Sequence, residues 1–396
     1  MNILIVHNTL NDSRSVNGVL RHYVLMAREW IRLGHPTDFV VAKAGWPQLR
    51  DLAPQSELIS SDGWFDATRY LAQTWRYFPA FAYRMLTAHW LRLPKRYDVV
   101  IASSPFAFEV YPAMVLARRT GAKLAVKVHH VLNAQAGRRG LFDRLYLRAE
   151  EQSCRWVHRH AAVVFCSVRR VADDYRQLET RLGLPPRETL PTGYGADLDA
   201  FHRGPDVPKR FDVVFLGRLH EQKGVFDLPE YWAEVVRQRP GARLLILGAG
   251  PRRERMGELL HGKGVLASVT FTGGIGEAEK NQRLREARVG ISLSYEEGWG
   301  LSITEFMASR LPVVTYQLPV FDEVFPGQLE RVPLGDWRAA AARTVALLAE
   351  EARQMALGCA NRAFIERYDY RQVATKELAA LQAAIAPVGG VSASRP

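Results

Sequence analysis

The sequence predicts an α/β chain of two doubly wound, parallel-sheet domains, and three observations carry that prediction. Short apolar runs rich in branched side chains recur along the whole chain and read as strands buried on both faces. Helical patterns separate them, the alternation that builds a parallel sheet covered on both sides. At 396 residues the chain exceeds one ordinary core, and a turn-rich stretch, His202 to Lys209, divides it near the middle. The expected domains are residues 1–205 and 206–365, then a last helix at 366–386 and a disordered Gly/Ser/Pro-rich tail at 387–396.

Ile3–Val6 is the first strand, followed by a polar loop, Gly18 and a helical pattern from Val19 to Leu33 that Gly34 ends. Asp38–Ala42, Asp98–Ala102, Lys123–Val128 and Ala161–Cys166 are further strands. Between them lie helices at Phe108–Arg119 and across the basic stretch Arg138–His160, and one capped near Ser167 follows. The second half restarts the rhythm with strands at Asp212–Leu216, Arg243–Leu247, Val269–Thr272, Val289–Leu293 and Pro312–Thr315. A helix at Glu277–Ala287 and a mostly helical remainder ending in Tyr368–Ile385 complete it.

Hydrophobic content of 47% with 24% charged residues is that of a globular chain. No apolar run approaches the roughly 18–20 residues needed to span a bilayer. Met1 to Asn8 lacks a basic leader and turns polar early, so it reads as core strand and not as a signal peptide. Cys154, Cys166 and Cys359 are odd in number and widely spaced, which favours reduced thiols and a cytoplasmic chain. The net charge of +12 is uneven: residues 1–205 hold 28 Lys/Arg against 18 Asp/Glu, the remainder 25 against 23. One half therefore suits an anionic partner.

Within that half, Trp64–Arg96 mixes nine aromatic residues with Arg69, Arg76, Arg84, Arg92, Lys95 and Arg96. The first four arginines recur at spacings that keep them on one helical face. Two readings fit: a core-facing helix with a solvated basic edge, or a surface in peripheral contact with anionic lipid.

The densest chemistry lies in Ser294–Glu305. A strand, a loop with two glycines and a helix start, which Ser302 could cap, present free backbone N–H groups to an anion. Gly298 and Gly300 let the backbone approach a ligand, and Glu297 and Glu305 supply acceptors suited to sugar and ribose hydroxyls. Past an earlier strand, Gly217-Arg218 and Lys223-Gly224 put two cations in one loop, as a diphosphate leaving group requires.

Taken together these residues resemble the retaining glycosyltransferases of family 4 (glycosyl transferases group 1), which have the GT-B fold. The likeness runs from Gly18 and His129 through Gly195-Ala196-Asp197, Gly217-Arg218…Lys223-Gly224 and Gly248-x-Gly250 to the Glu297/Glu305 pair and Tyr368-Asp369-Tyr370. It implies two facing Rossmann-like domains, an acceptor-side N-terminal one and a nucleotide-sugar-binding C-terminal one, with the last helix crossing back to the first. Arg218 and Lys223 would then hold the donor diphosphate, Glu305 the ribose, and backbone groups of Gly298, Trp299, Gly300 and Leu301 the phosphate and sugar. Gly18 would let the first helix approach the distal phosphate. The catalytic positions would be Glu297, on the transferred sugar, and His129, its ring bonding a sugar hydroxyl.

The implied function is transfer of a hexosyl unit from a UDP- or GDP-linked donor to a glycan or lipid-linked acceptor, in surface polysaccharide or glycolipid synthesis. No cofactor, metal or nucleic-acid partner is expected. Asn17 before Gly18, the additional Gly193-Tyr194 and Arg310 in place of a common glycine depart from the family pattern. Asp197-Leu198-Asp199 spells a D-x-D but sits in the loop before the linker, and no Cys or acid falls at ligand spacing from His129-His130 or His158-Arg159-His160. A sugar-nucleotide epimerase, a phosphorylase and a non-enzymatic basic binding protein are the alternatives.

Overall fold

The computed structural model describes residues 1–8, 18–62, 77–132, 141–201 and 207–386. It divides into two compact units, one of residues 1–195 with 370–396 and one of residues 196–369.

The first unit begins with β1 (Ile3–His7), α1 (Gly18–Arg32), β2 (Thr37–Val41), α2 (Trp46–Leu52), β3 (Leu58–Ser60) and α3 (Tyr77–Thr87). It continues with β4 (Val99–Ala102), α4 (Ala107–Thr120), β5 (Lys123–Val128), α5 (Leu141–His160), β6 (Ala161–Cys166), α6 (Arg169–Arg181) and β7 (Leu190–Pro191). All its strands pair in parallel, in the order β3-β2-β1-β4-β5-β6-β7. Ile3–Val6 and Val99–Ala102 are apolar at every position because helices cover both sheet faces, and every one of these residues is buried.

The second unit holds β8 (Phe211–Leu216), α7 (Asp227–Gln238), β9 (Leu244–Leu247), α8 (Arg253–Gly262), β10 (Val269–Gly273), α9 (Glu277–Arg285) and β11 (Ala287–Ser292). α10 (Leu301–Ala308), β12 (Val313–Tyr316), α11 (Val320–Val324), β13 (Glu330–Val332), α12 (Trp337–Ala349) and α13 (Glu351–Ile365) follow. Its parallel sheet runs β10-β9-β8-β11-β12-β13, so the strand order reverses between β8 and β11. Loops leaving the carboxyl ends of those two strands flank the crevice where such sheets bind ligands. Trp232 and Tyr231 of α7 are fully buried in the core beneath them.

The last helix, α14 (Tyr370–Ile385), returns to the first unit and packs on α1, where Trp30 Nε1 donates to the Ala374 carbonyl at 2.9 Å. The boundary lies between Gly195 and Ala196, ahead of the expected residue 205. The reason is local pairing: Ala196 bridges Asp369, and Asn281 of α9 donates to the Ala200 carbonyl, tying residues 196–201 to the second unit. The second crossing falls between Asp369 and Tyr370 instead of at 365. Most of the expected linker, residues 202–206, and the expected disordered tail, 387–396, lie outside the described residues.

Residues 63–76, with Arg69 and Arg76, also lie outside them. The described part of the basic aromatic stretch corrects one expectation. Arg84 is not on a solvated or lipid-facing edge but buried, pairing with Asp62 at 2.5 Å and donating to the Asn8 carbonyl at 2.7 Å. An Arg on the inner face of α3 needs that carboxylate, since an unpaired buried charge is prohibitive. Ser167 does not cap α6, which starts at Arg169; its hydroxyl donates to the His129 carbonyl instead.

Candidate functional site

The second unit assembles its site where β8 and β11 end. The β8 loop makes one 3-10 turn, Glu221–Lys223, and leaves it at Gly224 with φ +68°. A Cβ at Gly224 would sit 2.1 Å from the Leu293 carbonyl oxygen, so only glycine lets this loop press against the end of β11. The two loops are stitched by Tyr295 N–H donating to the Gln222 carbonyl at 2.9 Å. Lys223 Nζ then lies 2.5 Å from Glu297 Oε1, both largely buried, while Arg218 is exposed at the head of the loop. The hydroxyls of Tyr295 and Tyr316 both donate to Asp227 Oδ2, at 2.7 and 2.6 Å, which fixes the next residues of both loops. Burial and then the Asp227 hydrogen bond push the Tyr295 phenol up to about 12, so it stays a donor.

The α10 N-terminus follows directly. Gly300, with φ +101°, is its N-cap and no side chain caps it; Ser302, expected as the cap, lies inside the first turn. The left-handed turn at Gly300 ends the loop two residues sooner than a cap at Ser302 would. The first intrahelical bond runs from Thr304 N–H to the Gly300 carbonyl at 3.0 Å, so the N–H groups of Leu301, Ser302 and Ile303 precede it. This is an anion-receptive helix start. Trp299 turns its indole inward: it is buried, donates to Thr304 Oγ1 at 3.1 Å and packs edge-on against Tyr368. It therefore anchors the loop, leaving only its backbone to face a ligand. Glu305 sits one turn into α10, its Oε1 2.8 Å from Lys280 Nζ on α9. Lys280 is a site residue that sequence reasoning missed, because a lysine within Glu277–Arg285 looks like one more solvated helix charge.

The first unit carries Gly18 and His129. Gly18 opens α1, with no acid in that helix's first turn. His129 follows β5 and is buried. Its Nε2–H donates to the Ser103 carbonyl at 2.5 Å, and its Nδ1 accepts from the Tyr194 hydroxyl. Burial, then Lys127, holds its pKa well below the usual imidazole range. The ring expected to bond a sugar hydroxyl has both nitrogens engaged inside the unit, and Tyr194, from the departure noted in the sequence, makes one of those contacts.

A buried ionic cluster lies beside it. Lys127 Nζ is 2.6 Å from Glu377 Oε1 of α14, 2.9 Å from His22 Nε2 of α1 and 2.7 Å from the Gly193 carbonyl. Burial would raise the Glu377 pKa, but Lys127 and His22 outweigh it and hold it at about 2. Burial and then Lys127 lower His22 to about 4. The available signal was Lys127 itself, a cation inside an otherwise apolar strand. Among the described residues no group of three or more His, Cys, Asp or Glu could hold a metal ion. Asp197 of the Asp-Leu-Asp run accepts from Ala200 N–H within its own turn.

Residues 16–194 match the family model described as Glycosyltransferase Family 4, and residues 199–362 match that described as Glycosyl transferases group 1. Among curated relatives, alpha-D-kanosaminyltransferase of Streptomyces kanamyceticus is 25% identical over 220 residues, 52% of this chain and 56% of that protein. Phosphatidyl-myo-inositol mannosyltransferase of Mycobacterium leprae is 30% identical over 168 residues, 41% of this chain and 44% of that protein. The chain thus spans about half the length of the curated relatives it matches. Anabaena Alr3699/HepE, solved in complex with UDP and glucose, superposes with a TM-score of 0.75 at 15% identity, covering 97% of this chain and 100% of that one.

Proposed function

The chain belongs to the family 4 glycosyltransferases, and on that premise we propose that it moves a hexosyl unit, with retention, from a UDP- or GDP-linked donor to a glycan or lipid-linked acceptor. The observation that carries this reading is the meeting, at one sheet edge, of the Lys223–Glu297 pair, exposed Arg218 and the uncapped α10 N-terminus. Arg218, Lys223 and the N–H groups from Gly298 to Leu301 neutralise the departing diphosphate. Glu297 takes hydroxyls of the transferred sugar, and Glu305 those of the ribose.

The bond between the anomeric carbon and the phosphate oxygen breaks with its electron pair on the phosphate. The acceptor oxygen then attacks from the same face, and its proton passes to the departing phosphate oxygen. Two cations and a helix N-terminus supply the positive charge this needs, so metal-independent transfer is part of the proposal; activity unchanged by EDTA supports it. A thermal-shift panel of UDP, GDP, ADP and dTDP with their sugars tests the site. A ligand at a hundredfold excess over Kd stabilises by about 2.7 kcal/mol. No shift with any of them overturns the reading, and NMR of the product anomer decides retention.

Peripheral contact with anionic membrane is the accompanying proposal for the first unit. Leu86 and Trp90 are 51% and 61% exposed, with exposed Arg92 and Arg96 close in sequence. No helix among the described residues is long and apolar enough to cross a membrane. Failure to float with anionic liposomes at low salt refutes the contact.

A further inference from the structure

Lys280 is buried although it lies on a helix whose neighbouring positions Ala278, Glu279 and Gln282 are exposed. Its ammonium lies 3.0 and 3.2 Å from the two oxygens of Glu277, one turn earlier on α9, and 2.8 Å from Glu305 Oε1 on α10. Glu277 alone could satisfy a lysine at the surface, as an ordinary pair three residues apart on a helix. The reach inward to Glu305 is what burial adds. It joins α9, the helix after β10, to α10, the helix after β11.

We propose that Lys280 is the positioning residue of the nucleotide subsite, holding the Glu305 carboxylate where it accepts from the vicinal diol of a ribose, and so makes the site select ribo- over 2′-deoxyribonucleotides. The inference rests on the donor-site reading above. An ionised carboxylate offers about four lone-pair sites, so one ion pair fixes its rotamer without exhausting its acceptor capacity. Without the ammonium, Glu277 and Glu305 lose their shared counter-charge, and Glu305 loses the contact that ties its carboxylate to α9. A diol bonds a fixed carboxylate through two hydroxyls, and a 2′-deoxyribose through one.

The test is titration of UDP, GDP and their 2′-deoxy counterparts into the full chain and its variants by calorimetry. One hydrogen bond to a charged acceptor corresponds to a ribo-to-deoxy preference of about tenfold in the parent protein. In Lys280→Met the ribonucleotide loses both hydroxyl contacts and weakens by about a hundredfold, while the deoxynucleotide loses its one and weakens by about tenfold, so the preference falls toward one. Lys280→Arg restores most of the preference, and Glu277→Gln, which leaves the contact with Glu305, retains it. A purely structural ion pair lowers Tm but weakens both nucleotides alike; a Lys280→Met protein that keeps the parent's preference therefore overturns the inference. Should that variant not fold, Lys280→Gln is read the same way. Equal binding of ribo and deoxy forms by the parent also overturns it while leaving the donor-site reading standing. No binding of any nucleotide by the parent overturns both.

Discussion

Replacing Lys127 by Met removes the ammonium that faces Glu377 while keeping most of the side-chain volume. Glu377 Oε1 then retains the Thr192 hydroxyl, at 2.7 Å, and His22, at 3.6 Å. Both charges of the parent pair are fully buried, and breaking such a pair from one side costs about 3–5 kcal/mol. The pH dependence sharpens this. In the parent, His22 falls from 6.5 to about 4, so stability is complete above pH 6.5 and is lost as pH falls toward 4, by about 3 kcal/mol. Without Lys127, His22 becomes the cation beside Glu377 and its pKa rises above 6.5. Its contribution is then present below pH 6.5 and lost as pH rises. The variant's deficit is therefore larger at pH 8 than at pH 5. Urea unfolding by circular dichroism, with the first unit's transition fitted at both pH values, measures it. A deficit below about 1 kcal/mol at pH 8, or one that does not shrink at pH 5, refutes the argument.

Glu297→Ala lowers transfer by about a hundredfold or more while free nucleotide still binds, since Lys223 is left to the diphosphate; radiolabelled transfer and calorimetry check the two halves. Arg218→Ala weakens nucleotide binding and transfer together, by about tenfold, seen as a matched fall in affinity and kcat/KM. Tyr194→Phe leaves the buried Nδ1 of His129 without its donor and destabilises by about 1–3 kcal/mol, read as a lower urea midpoint. Arg310, the only non-glycine with positive φ among the described residues (59°), gains from Arg310→Gly by about 1 kcal/mol. Calorimetry should find Tm raised by roughly 2 °C.

Much of the fold was legible because buried parallel strands write themselves as continuous apolar runs; β5 and β6 fall at their expected residues. The short edge strands β3, β7 and β13 escaped, being only three, two and three residues long and too brief for any period. In the site, Glu297, Glu305, Lys223 and the glycines stood out because close backbone approach and phosphate chemistry restrict residue type. What stayed hidden is long-range: Lys127 meets His22 across 105 residues and Glu377 across 250, and no local pattern encodes such partners. His129 was placed correctly after its strand, but the Tyr194 hydroxyl and the Ser103 carbonyl that occupy its ring belong to distant segments.

The return of α14 to the first unit bears on the order in which a nascent chain can fold. Residues 196–369 form the second unit as one contiguous stretch, complete once Asp369 has left the ribosome. The first unit, although synthesised earlier, lacks Glu377 and the α14 face that packs on α1 until residues 370–385 have been made. Until then Lys127 has no carboxylate to meet, and the apolar side chains of α1 that α14 will cover stay open to solvent. The half begun first is thus the half finished last, because its closing helix is encoded beyond the whole of the other.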